Sequence, residues 1–380
     1  MLKKMKFSIK QSTLLQLSQT VSRAVAVRSP KPVLTGILLE ATPTTLTATA
    51  YDLELGIQTH VIADESTRLS VEQPGSIVLP ARYLSDVVRK LPADDVTVTI
   101  QNNYVAEIQS GQAQFHLHGI DAAEFPTLPV FHGVDPVQLD SHTLKRLIVT
   151  TAFAASNSEV RPVLTGIHFQ LQRGELNCTA TDALRLATRT VRFNGMDDDL
   201  QWNMILPGKS LLELAKILPD DDSPISVQHS DSHSLFVVGP THFYTRLIDG
   251  SYPDTSRIIP THFRTEVTLP TDELTSSIDR ATLIARDRDN NQVRMEITNG
   301  YITISSSSAE VGNVSEQVGV EVQSGDLMQI AFNGKNVLDA LDAISSESVV
   351  VRFNGANQPF ILQEPGDDTA LQLISPVLTR

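Results

Sequence analysis

Apolar residues recur at helical spacing in two segments near the start of the chain and at alternate positions in short runs around them. One helical set is Leu14, Leu15, Val21 and Val25, and the other is Leu84, Val87, Val88 and Leu91. The runs ILLE, TLTATA, VTVTI and AEIQS are β-rich and are separated by Pro, Gly and Asn. The pattern predicts two helices and about eight short strands, an α+β design.

The same pattern returns about 130 residues later. PVLTGI stands at 32–37 and again at 162–167, and LPARYLSDVVRKLP at 79–92 matches LPGKSLLELAKILP at 206–219. Asp52 matches Asp182, and Pro126 matches Pro253. We expect PVLTGI to enter a strand, because proline blocks a preceding helix and alternating Val, Thr and Ile suit a pleat. Matches that keep their order along the chain indicate an internal repeat.

A third, fainter copy follows. LLQLSQTVSRAVAV, LKRLIVTTAFAAS and LTSSIDRATLIAR begin 130 residues apart, and FNGKNVLDALDAI at 332–344 takes the place of the second helix. The chain is therefore predicted to hold three domains, 1–131, 132–262 and 263–380. PTLPVFHG and RIIPTHF are the predicted linkers.

Length and composition fit this division. A chain of 380 residues exceeds what one core usually organises. No stretch approaches the roughly 18 to 20 apolar residues of a membrane span, and the N-terminus lacks the apolar block of a signal peptide. Cys178 is the only cysteine, which excludes a disulfide framework. We expect a cytoplasmic protein that does not bind a membrane.

The net charge of −14 argues against nucleic acid until its distribution is considered. The six predicted helical segments (12–28, 79–92, 141–158, 206–219, 274–289 and 332–344) sum to +6, and the rest of the chain to −20. Helices gathered on one face would attract a phosphate backbone. The alternative is that Arg and Lys, as good helix formers, only solvate exposed faces. The predicted DNA-facing residues are Arg23, Arg28, Arg82, Arg89, Lys145, Arg146, Lys209 and Lys216.

The kind of DNA contact also follows from the sequence. We find no aromatic residues interleaved with these basic ones, which disfavours base stacking on single strands. No helix-turn-helix or zinc-finger pattern offers base readout. Phosphate contact without sequence reading is the remaining expectation.

Taken together, LPARYLSDVVRKLP, FHLHGIDAAEFPTLP, TATDALRLA, LIDGSYPDTSRIIP and the C-terminal LQLISPVLTR resemble the bacterial DNA polymerase III beta subunit family, the β sliding clamps. The resemblance covers essentially the whole chain. It implies a head-to-tail homodimeric ring of six domains, with helices lining the hole and antiparallel sheets forming the rim. Double-stranded DNA would pass through the ring, which would tether the replicative DNA polymerase. No enzymatic chemistry and no cofactor are implied.

The resemblance also implies a groove that receives a short clamp-binding motif from the polymerase, the clamp loader and repair proteins. Its residues here would be Thr181, Leu184, Arg185, Leu186, Pro253, Arg257, Ile258, Leu373, Ser375, Pro376 and Val377. They would form an apolar groove with a basic edge, suited to a peptide with hydrophobic anchors. The alternative reading makes Leu186, Ile258 and Val377 ordinary core residues. Leu184 and Ser375 depart from the residues that the family usually has.

For the ring interface, the resemblance points to the edge of the first domain against the third. Val87, Leu91, Phe115 and Leu117 would face Ile284 and its neighbours. Phe115 could equally be a buried strand residue.

Two further readings compete with a clamp. Asp182 with nearby histidines could serve an enzyme, but Asp52 occurs at the same place in the first repeat, which favours a structural turn or cap. A repetitive scaffold that binds only proteins is the other class. His116 and His118 form an H-x-H pair without further ligands close in sequence, so no metal site is predicted.

Overall fold

The computed structural model describes residues 4–92, 95–100, 102–131, 135–193, 199–285 and 291–378. In the first part of the chain, two α-helices are present, α1 (Gln11–Val21) and α2 (Ala81–Lys90). The strands around them are β1 (Met5–Lys10), β2 (Gly36–Ala41), β3 (Thr45–Tyr51), β4 (Leu55–Ile62), β5 (Ser70–Gln73), β6 (Gly75–Pro80), β7 (Asp95–Ile100), β8 (Val105–Ser110) and β9 (Ala113–His118).

The middle part repeats this order with α3 (Ser141–Ala152) and α4 (Gly208–Ala215). Its strands are β10 (Val137–Asp140), β11 (Gly166–Gln172), β12 (Glu175–Thr181), β13 (Arg185–Arg192), β14 (Trp202–Pro207), β15 (Pro224–His229), β16 (His233–Val238) and β17 (Thr241–Arg246).

The last part has α5 (Thr271–Ala285) and α6 (Gly334–Leu341). Its strands are β18 (Thr265–Pro270), β19 (Gln292–Thr298), β20 (Tyr301–Ser308), β21 (Gly312–Gly319), β22 (Val322–Gly325), β23 (Met328–Asn333), β24 (Ser348–Phe353), β25 (Phe360–Gln363) and β26 (Ala370–Ile374). Within the described residues, two helices and eight or nine strands therefore recur three times, which confirms the predicted α+β repeat.

The chain folds into two compact units, and the middle repeat contributes to both. Unit 1 comprises Met1–His142 and Lys216–Leu247. It contains a five-stranded sheet in the order β5-β1-β7-β8-β9 and an eight-stranded sheet in the order β10-β15-β16-β17-β4-β3-β2-β6. The second sheet joins two repeats, because β17 pairs antiparallel with β4 from Thr241 opposite Thr59 to Thr245 opposite Leu55.

Unit 2 comprises Thr143–Ala215 and Ile248–Arg380. Its nine-stranded sheet has the order β14-β11-β12-β13-β26-β25-β24-β18-β22, and its four-stranded sheet has the order β21-β20-β19-β23. Here β13 and β26 join two repeats, from Arg185 opposite Ile374 to Arg189 opposite Ala370. The third repeat has a core of its own, in which α5 and α6 cover the sheets through residues such as Leu274, Ile278 and Val337.

The helices are shorter than the apolar period suggested. The first ends at Val21 and continues as a single 3₁₀ turn to Ala24, so Arg28 lies outside it. Val25 is already extended, and the Ser22 hydroxyl donates to the Ser18 carbonyl oxygen in the last turn. Likewise Lys216 follows the end of α4, and residues 286–289 of the predicted segment 274–289 lie outside the described residues.

The prediction that PVLTGI enters a strand was only partly right. Pro32–Thr35 and Pro162–Thr165 each form a 3₁₀ turn, and the strand begins only at the following glycine. The Thr35 hydroxyl closes its turn by donating to the Pro32 carbonyl oxygen at 2.8 Å. A Cβ on Gly36 would lie 2.5 Å from the Val78 side chain, and one on Gly166 would lie 2.5 Å from that of Ile205. The repeated motif is thus a proline-initiated turn whose glycine lets two strands approach closely.

Candidate functional site

A tight turn between β12 and β13 carries several predicted groove residues. One carboxylate oxygen of Asp182 accepts the N–H groups of Leu184 and Arg185 at 2.9 and 3.0 Å. Asp52 makes the same pair of bonds between β3 and β4, to residues 54 and 55. Ala183, which follows Asp182, has a φ of +77°. Asp182 therefore fixes a repeated Asx turn, as its counterpart in the first repeat indicated.

A buried tyrosine supports this turn from the other side. The Thr181 N–H donates to the Tyr252 hydroxyl oxygen at 3.0 Å, and the Tyr252 ring stacks on His168 with ring centres 5.0 Å apart. Burial raises the pKa of the Tyr252 phenol far above its usual value, so the hydroxyl stays protonated. Tyr252 immediately precedes Pro253 and was not identified from the sequence. The signal for it in the sequence was an aromatic residue before each of the two matched prolines, Phe125 before Pro126 and Tyr252 before Pro253.

Arg185 does not form the open basic edge predicted for it. Only 9% of its side chain is exposed, and its guanidinium donates to Asp182 at 3.0 Å and to Asp339 of α6 at 2.6 Å. The same group lies 5.6 Å from the centre of the Phe153 ring. Its charge is therefore used inside unit 2, where it ties the turn to the third repeat. Arg257, which is well exposed and pairs loosely with Asp254, is the basic group left at the surface.

The apolar residues of the predicted groove divide into a buried floor and an exposed rim. Leu186 and Leu373 are buried together with Ile361. Leu186 is therefore a core residue, which was the alternative prediction for it. Leu184 and Ile258 are 60% and 48% exposed, so Ile258 is not a core residue. A ligand could reach the two exposed side chains directly.

The C-terminal segment lies against the same unit. The Ser375 N–H donates to the Leu184 carbonyl oxygen, and the Val377 N–H donates to the Ala331 carbonyl oxygen, both at 2.8 Å. Pro376 forms an isolated bridge with Phe332. Ser375 and Leu184, the two departures from the family pattern, are thus direct neighbours. Thr181, buried, and Pro253, exposed, complete the predicted set in unit 2.

Five of the eight predicted DNA-facing cations lie in unit 1, and all are exposed: Arg23, Arg28, Arg82, Arg89 and Lys216. Arg23, Arg82 and Arg89 line one groove beside α1 and α2. Arg23 and Lys216 line a second one, together with His60, and its lining among the described residues includes no Asp or Glu. The structure therefore brings four of these cations together, and Arg28 lies outside both groups.

The other three cations lie in unit 2. Lys209 is exposed on α4 and Lys145 is half-buried on α3. Arg146 is 3.6 Å from Glu364 and 3.8 Å from Asp367, so part of its charge is neutralised within the unit. Asp367 also binds the buried Arg189 at 2.9 Å. This network fixes α3 to the segment that precedes β26.

Two of the predicted interface residues, Phe115 and Leu117, lie on β9 at one end of the five-stranded sheet. Phe115 and Leu117 alternate on β9 opposite Ile108 and Ala106, which are buried. Phe115 is nevertheless 40% exposed, because β9 is the last strand of its sheet. The prediction for Leu91 was wrong, since that side chain is buried in its own unit.

Val87 is half-buried on α2, and Ile284 is half-buried on α5. Beside Ile284, the side chain of Leu283 is 52% exposed and was missed. Val87 belongs to unit 1, whereas Leu283 and Ile284 belong to unit 2. Helix α2 contacts β9 and helix α5 contacts β21, and each of these strands is the last of its sheet.

One group of possible metal ligands occurs within the described residues. Asp140, His142 and Asp222 place their ligand atoms within 4.8 Å of one another. His142 and Asp222 are exposed, and the group was not identified from the sequence. His116 and His118, the H-x-H pair of the sequence, are also exposed.

The described helices include none with the length and apolar character that crossing a membrane requires. The longest, α5, has 15 residues and an acidic first turn.

Comparison with known proteins gives a consistent result over the whole chain. Family models of the DNA polymerase III beta subunit match in three stretches: the N-terminal domain over residues 5–129, the central domain over 138–254 and the C-terminal domain over 256–378. The beta sliding clamp of Bacillus subtilis is 40% identical over 99% of this chain and 100% of its own length. That of Staphylococcus aureus is 38% identical with the same coverage.

Solved structures agree with these relatives. The sliding clamp from Bacillus subtilis superimposes with a TM-score of 0.94 at 39% identity and covers 100% of both chains. A sliding clamp from Pseudomonas aeruginosa bound to griselimycin gives a TM-score of 0.91 at 28% identity, over 99% of this chain and 100% of that one.

Proposed function

This chain belongs to the family of DNA polymerase III beta subunits, the sliding clamps, and we propose that two copies of it close head to tail into a ring around duplex DNA. Members of this family are non-enzymatic subunits of a DNA polymerase, so DNA and a polymerase are the partners of this chain as well. The ring, its residues and its peptide partners are our proposals.

The observation that carries the ring is a junction repeated inside the chain. The third strand after the first helix of one repeat pairs with the last strand of the next repeat, as β4 does with β17 and β13 with β26. The corresponding strand of the third repeat is β21, and the last strand of the first repeat is β9. Both stand at the ends of their sheets. We propose that β21 of one protomer pairs with β9 of the other.

The side chains at these strands support the same junction. Phe243 of β17 occupies the position that Phe115 occupies in β9, and it is fully buried opposite Ile57. Phe115 is 40% exposed in the single chain and would become buried in the same way. Because the two edges are different surfaces, the contact is heterologous, and two such contacts close a dimer.

The proposed DNA contact is electrostatic. Phosphates dominate the affinity of proteins for DNA and carry no sequence information. Exposed cations on α2, α3, α4 and the 3₁₀ turn after α1, in an otherwise acidic chain, provide weak attraction without base contacts, which lets a ring slide. In the third repeat, Arg280 of α5 binds Glu316 and Asp339 of α6 binds Arg185, so these helix charges are paired within unit 2.

The groove at the Asp182 turn is the proposed site for a partner's short linear motif. Its exposed anchors are Leu184 and Ile258, its floor is buried, and Arg257 supplies a positive charge. The replicative polymerase, the clamp loader and repair proteins are the proposed partners. We further propose domain limits of 1–131, 132–262 and 263–380, and the cytoplasm as the location, because a bacterial chromosome is copied there.

Topology gives the decisive test of the ring. The labelled protein is placed on nicked circular plasmid with a clamp loader and ATP and is separated from free protein by gel filtration. Half of the sample is linearised with a single-cut enzyme first. A ring stays on the circle and is lost from the linear form. Equal retention on both forms would mean ordinary electrostatic binding and would refute the proposal.

The DNA-facing residues require a separate test with a charge-matched control. The test variant changes four helix cations to Glu: Arg23, Arg82, Lys145 and Lys209. The control makes the same change of charge outside the helices: Arg173, Arg192, Arg246 and Arg294. We expect only the test variant to lose loading onto DNA. If its loading survives, the basic helices do not contact DNA, and a scaffold that binds only proteins becomes the better reading.

The groove is tested by the double change of Leu184 and Ile258 to Ala, which leaves the buried floor intact. We expect weaker binding of a fluorescent peptide with the clamp-binding motif of a polymerase, and an unchanged dimer mass. Equal peptide affinity in this variant would contradict the placement of the groove.

A further inference from the structure

A groove of 930 Å³ in unit 1 combines arginine with exposed apolar surface. It runs between the end of α1 and the start of α2, and its lining includes Gln19, Arg23, Val27, Arg82, Tyr83 and Arg89. Among the described residues of its lining, Asp86 is the one carboxylate, and it lies 3.3 Å from Arg89, so this lining is net positive. Since Tyr83 follows Arg82 directly, our expectation of no aromatic among the basic residues was wrong.

Most of the Tyr83 surface lies outside the core. Its side chain is 60% exposed, and that of Val27 in the same groove is 96% exposed. The positions equivalent to Arg82 in the other repeats are Lys209 and Lys335, so the cation recurs. The positions equivalent to Tyr83 hold Ser210 and Asn336. The aromatic ring is therefore a feature of the first repeat alone.

A duplex offers this ring little, because its bases are stacked inside and phosphates form its outer surface. A single strand offers both phosphates and unpaired bases, and a base stacks on an aromatic side chain whatever its identity. We propose that the groove binds single-stranded DNA, with one unpaired base stacked on Tyr83 and the flanking phosphates bound by Arg23, Arg82 and Arg89. The proposal rests on the proposed function, since a strand reaches the groove only if DNA approaches these helices.

Charge favours DNA over a protein segment as the occupant. Arg23 and Gln19 also line the neighbouring groove, which adds Lys216 and contains no carboxylate among its described lining residues. The two grooves thus form a basic track on a chain whose net charge is −14. A track of this kind suits successive phosphates along a strand.

The test measures fluorescence anisotropy of a labelled oligothymidylate of about 15 nucleotides, within the usual site size for such proteins. The full-length protein is compared with Tyr83→Leu, which keeps an apolar side chain, and Tyr83→Trp, which keeps an aromatic one. Tyr301→Leu is the control, because Tyr301 is an exposed tyrosine of unit 2. We expect Tyr83→Leu to weaken binding about ten-fold or more and Tyr83→Trp to restore it, while Tyr301→Leu changes nothing.

The same variants are titrated with duplex of equal length, for which we expect Tyr83→Leu to change the affinity less than two-fold. An oligonucleotide that carries 5-iododeoxyuridine should crosslink to the α2 segment on irradiation. Unchanged single-strand affinity in Tyr83→Leu, an equal loss for duplex, or crosslinks found only elsewhere would each overturn the proposal. Loss of clamp-loader binding with DNA affinity intact would overturn it in favour of a protein occupant.

Retention on circular plasmid, measured with the same preparations, separates this proposal from the ring. If the wild-type protein is retained on the circle but Tyr83→Leu binds the oligonucleotide normally, only the groove assignment fails. If the wild-type protein is not retained, the ring itself fails.

Discussion

Replacing Phe115 by Ala should break the dimer much more than it destabilises the fold. A phenylalanine side chain buries about 200 Å² when it is fully enclosed, and 40% of this one is exposed in the single chain. Closing the junction would therefore bury about 80 Å², worth about 2 kcal/mol at ~25 cal/mol per Å². A two-protomer ring contains two such junctions, so the loss is about 4 kcal/mol, or about a thousand-fold in the dimer Kd.

Sedimentation over a wide range of protein concentration measures that Kd. The control is Ile62→Ala, which removes an apolar side chain that is 59% exposed on β4 beyond the residues paired with β17. Circular dichroism and thermal melting show whether Phe115→Ala still folds, since the buried part of the ring also contributes to unit 1. The reasoning fails if the Kd rises less than three-fold, or if Ile62→Ala weakens the dimer equally.

Three further predictions concern unit 2, with controls from the first repeat where the chain offers them. Asp182→Ala should weaken binding of the partner peptide about ten-fold or more, because two backbone N–H groups of the turn lose their acceptor. Asp52→Ala, which removes the same two bonds in the first repeat, should leave peptide binding unchanged. Equal effects of the two changes in a fluorescence titration would refute this. Tyr252→Phe should weaken the same peptide several-fold at unchanged dimer mass, and Tyr51→Phe, which removes a 3.4 Å bond, should not. Burial raises the pKa of Asp367, but hydrogen bonds from Thr369 and the Arg189 guanidinium outweigh it, so the net pKa is lowered. The stabilisation that ionised Asp367 provides is present above the unfolded pKa of about 4 and is lost as the pH falls through the folded pKa. Asp367→Asn should therefore reduce the fall of the unfolding free energy at acid pH. An unchanged dependence on pH in this variant would contradict the prediction.

The repeat and its local chemistry followed from the sequence because they depend on near neighbours. Helical and alternating periods identified six helices and short strands, since each period reflects which side of an element faces a core. The Asp182 turn could be read by comparison with Asp52, because its hydrogen bonds span only two or three residues. A structural role in both repeats then outweighed a catalytic one.

Helix ends were less predictable. The apolar period continued past α1 to Val25, which faces the groove beside α1 and α2 from an extended conformation rather than a helical one. Arg28 and Lys216 were assigned to helices for the same reason, and neither lies in one. The spacing of apolar residues reflects which side chains face the core, and a side chain can face the core from a backbone that is no longer helical.

Which side chains are available to a ligand was decided by contacts between distant residues. The guanidinium of Arg185 is paired with the carboxylate of Asp339, which lies 154 residues away in the sequence. The Leu91 side chain is buried in unit 1, whereas Tyr83 is exposed in a groove that three arginines also line. No short pattern distinguishes these outcomes, because a leucine or an arginine has the same local preferences whether it is enclosed or not.

The sequence by itself determined that one unit of two helices and short strands is used three times. Only the tertiary structure decided how the sheets continue from one repeat into the next, through β4 with β17 and β13 with β26, and which strands remain at the ends. The reason is physical: strands pair through backbone N–H and C=O groups that every residue except proline carries in full. Side-chain patterns therefore predict that a strand forms, whereas its neighbour is chosen by the packing of the whole chain.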